Sequence, residues 1–414
     1  MAGPHERDGL VKAYDIVVVG ASVAGTAFAM ALRDEGLRIL VVDPQVDFDE
    51  SRMTWGHDIE PNGLLALDWL GLLDDIKRLG VRHERWIAER EGGGRLSEWR
   101  YDELRHTHAY AVCVRAHLLR RRLRERLSGV DVVIPGAFQG YRRVEGGVHV
   151  DIEVEGERRT ASAKLLVGAD GPRSRVRAQA GIGARVRRYS HSWVDTIMSR
   201  DDDTLTEGHI YFGRGSYLGV VPTRPGELVA FELTAGPHRV GGIERFREDY
   251  VRRAPILAGS VDSVESWDQV TVAPGFRMRA ERWVADHVAL LGDAALTVNP
   301  ITSQGVSLAL EDALTLAVVT GQAFRRGDFT ARALRPYELW RRPQAERIQE
   351  LGDLSLWGFT RRSRVLSALK ERTLRHLAAD RDFRTYVMAS YCGLHWLTPK
   401  PLTILNAVRR PHPV

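Results

Sequence analysis

The chain has 414 residues, more than a single hydrophobic core ordinarily serves, and its 44% hydrophobic and 27% charged residues are the proportions of a globular protein. Its net charge of +5 comes from arginines interleaved with 54 acidic residues. The clustered basic and aromatic stripe that tracks a phosphate backbone is missing, so nucleic acid is not the expected partner. Cys113 and Cys392 offer neither a disulfide framework nor metal-ligand spacing, and no run of about 18 uncharged apolar residues suggests a membrane span. The polar stretch Met1–Lys12 lacks the apolar region of a secretory signal, so a cytoplasmic, metal-free protein is expected.

Tyr14 to Val19 is a short β-branched run suited to a buried parallel strand. The turn Gly20-Ala-Ser-Val-Ala-Gly25 follows at once, Thr26 to Glu35 has helical spacing, and Arg38 to Val42 is a second strand ending at Asp43. A glycine turn between strand and helix is a dinucleotide fingerprint. Gly20 makes the tight turn and Gly25 permits close packing of helix on strand, while the helix start at Val23 and Ala24 offers free N–H groups to a pyrophosphate. Ser22 stands where a middle glycine is usual and is small enough to fit. Asp43 is placed to accept from ribose hydroxyls and disfavours the extra phosphate of NADP. This unit alone leaves FAD and NAD both open.

Further along, Gly56 to Leu72 reads as a loop carrying His57 and Asp58, followed by a helix. Val114 to Leu127 places Leu118, Leu119, Leu123 and Leu127 on one helical face, with arginines read as solvated around the other. Alternation at Val148–Val154 precedes a buried run that enters Gly168-Ala-Asp-Gly171. From about Arg185 to Gly275, short strands such as those at His209 and Tyr217 indicate a separate, mostly antiparallel sheet. His287–Leu291 returns to a buried strand, a helix begins near Ser303, and the chain from about Pro336 onward reads as helices.

Three motifs in order carry a resemblance: Gly20–Gly25 with Asp43, Asp170-Gly171 with Ser174 and Arg177, and Gly292-Asp293 with Pro300, Gln304 and Gly305. Up to about residue 345 the chain resembles the class A, single-component flavoprotein monooxygenases, the family that includes para-hydroxybenzoate hydroxylase. The resemblance implies an α/β fold in which segments 13–75, 104–184 and 275–345 build a Rossmann-type FAD-binding domain. Segments 76–103 and 185–274 would form an inserted, mostly antiparallel substrate domain, with a helical C-terminal region over 346–414. It also implies roles. Asp293 would hydrogen-bond the FAD ribityl chain, and Pro300, Gln304, Gly305 and Val306 would bring a helix start to the flavin. Asp170 and Gly171 would serve FAD and the visiting nicotinamide nucleotide. Arg115 would contact FAD, with its neighbours Arg120, Arg121 and Arg122 on the surface.

The implied activity is hydroxylation or epoxidation of a small aromatic, polyketide or other secondary-metabolite substrate. It would use FAD, NADH or NADPH as transient co-substrate, and dioxygen, through a flavin C4a-hydroperoxide. His57, Tyr211 and Tyr217 are candidate catalytic groups, and His191, Trp193, Tyr211 and Tyr217 candidate pocket walls. The sequence departs from the family pattern at Leu296, Ser303, Ser307 and Ala309, positions that the resemblance would place on the substrate side of the ring. A geranylgeranyl-type reductase, a flavoenzyme using FAD as a cyclisation scaffold, and a non-catalytic nucleotide-binding protein are the alternatives. A monomer or homodimer is expected. The tail from about Leu351 could cover the pocket, form a dimer contact or touch a membrane through Leu394 to Leu405, with plain helical packing favoured.

Overall fold

A computed structural model describes residues 12–45, 55–234 and 241–394. The leader up to residue 11 and the tail beyond Leu394 lie outside the described residues, and with them most of the stretch considered for membrane contact.

The central sheet has six strands in the order Val284–Ala285, Val288–Leu290, Leu165–Gly168, Ile16–Val19, Ile39–Val42, Asp131–Val133. Its ladders are parallel except for the hairpin at one edge. The strands Ile16–Val19 and Ile39–Val42 are buried throughout, the environment that demands continuous Ile, Leu and Val rather than alternation. Helix Val23–Leu32 starts inside the fingerprint rather than after it, because extended Ser22 serves as its N-cap residue. It stops before Glu35, and Gly36 at φ +71° turns the chain toward the next strand.

A four-stranded sheet (Lys12–Ala13, Glu157–Ala163, Gly147–Val154, Ala137–Val144) and a three-stranded one (Gly56–Ile59, Ala111–Arg115, Val81–His83) flank this core. The largest sheet has eight strands, in the order Leu296–Thr297, Val270–Ala280, Ala184–Ser199, Glu227–Thr234, Tyr217–Arg224, Gly208–Phe212, Arg85–Arg90, Arg95–Arg100. It is antiparallel but for the pairing of Gly208–Phe212 with Arg85–Arg90. The stretch read as strands and turns also contains helix Gly242–Arg253, whose Phe246 and Tyr250 pack on one face of that sheet. Side chains alternate between faces along each strand. Tyr211, Leu218, Val220 and Leu228 therefore lie under the helix, while Ile210, Phe212, Tyr217 and Leu233 face an aromatic cluster on the other side.

That second face is covered by helices Ala331–Thr360, Arg364–Ala379 and Arg381–Tyr391, which contribute Leu356, Phe359, Leu374, Leu377 and Met388. The tail thus covers the sheet. It is tied down by buried Gln349, which donates to the carbonyls of Met278 at 3.1 Å and Thr297 at 2.7 Å, and by Arg384, which donates to Glu103 at 2.7 Å.

Helix Gly305–Arg326 is long and apolar enough to cross a membrane, yet its apolar residues are mostly buried against helices Val23–Leu32, Pro61–Trp69 and Ala331–Thr360. Its Asp312 is buried, and Arg341 donates to Asp312 at 2.6 Å and to Glu311 at 3.0 Å. Removing one partner of a buried pair strands the other charge. Arg341→Met is therefore expected to lower unfolding free energy by about 3–5 kcal/mol in urea titrations, with most of the loss recovered when Asp312→Asn is added.

Candidate active site

The fingerprint turn is a steric necessity. Gly20 sits at φ +111°, and a Cβ there would lie 2.2 Å from the Ala169 carbonyl oxygen; a Cβ on Gly25 would lie 1.9 Å from the Gly20 oxygen. Side chains are thereby excluded, and the N-terminus of helix Val23–Leu32 abuts the ends of the central strands. Among the described residues, no side chain caps that helix, and none caps helix Gly305–Arg326. Both therefore present first-turn N–H groups and the positive end of the helix dipole. Gly305 is exposed, and a Cβ there would meet only the Val298 side chain, at 3.8 Å.

Asp43 braces the first turn: its Oδ2 accepts from Ala21 N–H at 2.6 Å and its Oδ1 from Gln45 N–H at 2.7 Å. Arg124 donates to the carbonyls of Ala21 and Gln45 at 2.9 and 2.8 Å and lies 3.5 Å from the Asp43 carboxylate. Gly292, at φ +58°, lets the Gly-Asp loop lie against Ala24, since a Cβ there would stand 3.0 Å from the Ala24 methyl group. Asp293 in that loop is exposed to the cleft yet set deep in the fold, and burial pushes its carboxyl up to about 6 against the pull of Arg120. Arg120 itself, set between Asp43 and Asp293, has its pKa lowered by burial and by Arg124. His57 also faces Arg120. Burial, then that charge, lower its pKa to about 3, so the ring is neutral, and its Nε2 is buried without a partner among the described residues.

This corrects the surface reading of the arginine-rich helix. Arg122 does pair outward with Asp75 at 2.9 Å, but Arg120 and Arg124 turn to the cleft. Arg115 lies in the adjoining strand and donates to Glu227 at 3.1 Å, linking it to the eight-stranded sheet. Asp170 works as a local brace: its Oδ2 accepts from the N–H groups of Arg175 and Val176, and Gly171 makes the turn at φ +78°. Arg177 extends from there to the carbonyl of Ala294 at 2.9 Å, joining the second motif to the third.

Beside the cleft lies a small cavity of about 50 Å³, lined by Glu60, Trp86, Trp99, Tyr101, Ile210, Tyr217, Phe231, Phe359, Met388, Tyr391, Cys392 and the loop Ile301–Ser303. Gly219 makes room for Phe231, since a Cβ would meet that ring at 2.1 Å. Tyr217 stacks on Phe359 at 5.6 Å. The loop wall leads straight into Gln304, whose buried amide pairs with Asn62 at 3.0 Å, and then into the uncapped helix. Ser303 holds φ +53°, a left-handed conformation, which explains why a glycine suits that position elsewhere.

Of the residues expected at the pocket, Tyr217 is in the wall. Trp193 stands behind it, stacked at 6.1 Å. Tyr211 points to the opposite face of the sheet, because it alternates with Ile210 and Phe212, which face the aromatic cluster. His191 lies near Arg361 and Arg362, away from the lining. Sequence reasoning missed Glu60, Tyr101, Phe231, Phe359, Met388, Tyr391 and Cys392.

Residues 13–351 match the profile of the family described as FAD binding domain. The chain belongs to that family, the class A flavoprotein monooxygenases. It is 28% identical over 345 residues to 6-methylpretetramide 4-monooxygenase of Streptomyces rimosus, covering 80% of this chain and 81% of that one. Among solved structures, p-nitrophenol 4-monooxygenase PnpA of Pseudomonas putida DLL-E4 superposes with a TM-score of 0.81 at 19% identity, covering 93% of this chain and 99% of that one. HpxO of Klebsiella pneumoniae, complexed with FAD and uric acid, superposes with a TM-score of 0.77 at 20% identity, covering 92% and 97%. This chain is an FAD-dependent monooxygenase with the α/β architecture of that family. The two uncapped helix starts, the glycine cradle, the partnerless His57 Nε2 and the open Asp293 carboxylate suit a dinucleotide with polar ribityl hydroxyls.

The raised carboxyl of Asp293 has a stability consequence with a definite sign. Its ionised form is penalised in the folded protein, so the penalty is absent below pH about 4, grows through pH about 6 and is full above it. Asp293→Asn is expected to raise the melting temperature of FAD-free protein at pH 8 and leave it unchanged at pH 4. FAD retained after gel filtration, read from its visible absorbance, should fall.

Proposed function

We propose that this chain hydroxylates a planar aromatic substrate held in the aromatic cavity, against FAD held in the adjoining cleft. The observation that carries this reading is the shared wall: Ile301–Ser303 line the cavity, and the same loop leads into the uncapped start of helix Gly305–Arg326. Bound FAD supplies electron transfer from NADH or NADPH and the activation of dioxygen.

The chain's own residues do the rest in this reading. Ser22, Val23, Ala24 and Gly25 present N–H groups to the pyrophosphate, and Asp293 accepts from the ribityl hydroxyls. Arg120 offsets phosphate charge. The N–H groups of Gly305 and Val306, with the dipole behind them, stabilise negative charge at the pyrimidine edge of the ring. Asp170 and Arg177 fix the loop carrying Asp293, and Arg115 holds the two sheets in register through Glu227. Tyr217, Phe231 and Phe359 supply the flat apolar walls that orient a ring and keep water out. Neutral His57 serves as a hydrogen-bonding partner. The same reading has the enzyme working in the cytoplasm, as a monomer or homodimer.

The test is FAD reconstitution of purified protein, followed by parallel recording of NADH or NADPH oxidation and oxygen uptake across a panel of phenols. At least one compound should raise both rates roughly tenfold together and yield a product heavier by one oxygen. Nucleotide oxidation that proceeds equally without oxygen would instead favour a reductase, and a protein that takes up no FAD would end this reading.

A further inference from the structure

The aromatic cavity contains one polar constellation. Glu60, between strand Gly56–Ile59 and helix Pro61–Trp69, is 5% exposed and borders the cavity. Its Oε1 accepts from the Tyr101 hydroxyl at 3.1 Å, and its Oε2 from the Cys392 thiol at 3.2 Å. The Tyr101 oxygen in turn accepts from the Trp86 indole N–H at 3.1 Å. Glu60, Tyr101, Trp86 and Cys392 all line the cavity, so this chain of hydrogen bonds borders the space a ligand would fill.

Charge is arranged equally distinctly. Among the described residues, no arginine or lysine lines the cavity, and the neighbouring charged group acting on Glu60 is Asp58, itself 2.7 Å from His83. Burial, reinforced by Asp58, holds the Glu60 carboxyl well above the usual range, against the hydrogen bonds from Cys392 and Tyr101, which favours its protonated, hydrogen-bond-donating form. A substrate carboxylate placed here would be desolvated beside acidic groups with no counter-ion, which is strongly unfavourable. A neutral hydroxyl suits the place, because it can accept from Glu60 and donate to the Tyr101 oxygen.

We infer that Glu60 and Tyr101 recognise the substrate, and that the substrate class is an uncharged hydroxyarene without a carboxylate. The inference rests on the hydroxylase reading above and adds to it the chemistry that the pocket accepts and rejects. The aromatic walls take the ring, and the Glu60–Tyr101 pair fixes which edge of the ring carries the hydroxyl, so it sets the position presented to the cofactor.

Three probes of the same skeleton test this on FAD-loaded, full-length protein: 2-naphthol, naphthalene and 2-naphthoate, with dissociation constants read from perturbation of the FAD visible spectrum. Wild-type protein should bind 2-naphthol at least about tenfold more tightly than 2-naphthoate. Glu60→Leu should weaken 2-naphthol by about tenfold or more while naphthalene stays within about twofold, and Glu60→Gln, which keeps a hydrogen-bonding side chain, should recover most of the loss. Tyr101→Phe should act in the same sense and serves if Glu60→Leu fails to load FAD. The inference is overturned if 2-naphthoate binds as tightly as 2-naphthol, if both variants weaken naphthalene and 2-naphthol alike, or if FAD-loaded protein binds none of the three. Failure of the wild type to load FAD would overturn the hydroxylase reading itself. Loading FAD but preferring the carboxylate would overturn only the substrate class.

Discussion

Close approach of backbone to backbone at Gly20 and Gly25 is the constraint on which the remaining structure depends. With a side chain barred from both positions, helix Val23–Leu32 is drawn onto the strands Ile16–Val19 and Leu165–Gly168, and its dipole is aimed past their ends. The Gly-Asp loop then packs on Ala24, and helix Gly305–Arg326 packs along the same helix. Two helix starts converge on one cleft because a pair of hydrogen atoms stands where methyl groups would collide.

Polar groups in the two cavities divide by dielectric environment. Around the cleft, charges of both signs are interleaved: Asp43 with Arg124, and Asp293 with Arg120. That arrangement suits a ligand carrying phosphates and hydroxyls. In the aromatic cavity the carboxyl of Glu60 is held well above its usual range by burial and hydrogen-bonded by Tyr101 and Cys392 instead. A dry site preserves hydrogen-bond direction while avoiding the cost of naked charge. The loop Ile301–Ser303 separates the two regimes.

Much of the fold is legible in sequence because local rules suffice for it. Unbroken runs of Ile, Leu and Val mark strands covered on both faces, and the glycine spacing marks the turn. What fails is anything decided by a distant partner. Arg120 looks like a solvent-facing arginine until Asp43 and Asp293 arrive from two other segments. Tyr211 and Ile210 are equally apolar neighbours, and which one faces the cavity depends on what covers each side of the sheet: helix Gly242–Arg253 on one, the C-terminal helices on the other. Glu60 is inconspicuous in a loop. Its significance comes from Tyr101 and Cys392, which no periodicity links to it.

The contact between Cys392 and Glu60 spans 332 residues of chain. The nucleotide cleft is built from elements that end with helix Gly305–Arg326, but the aromatic cavity lacks Phe359, Met388, Tyr391 and Cys392 until the last helices dock. During synthesis the elements of the cleft are therefore complete before those of the aromatic cavity. The cavity's final wall is thus left to helices translated after the cleft's elements.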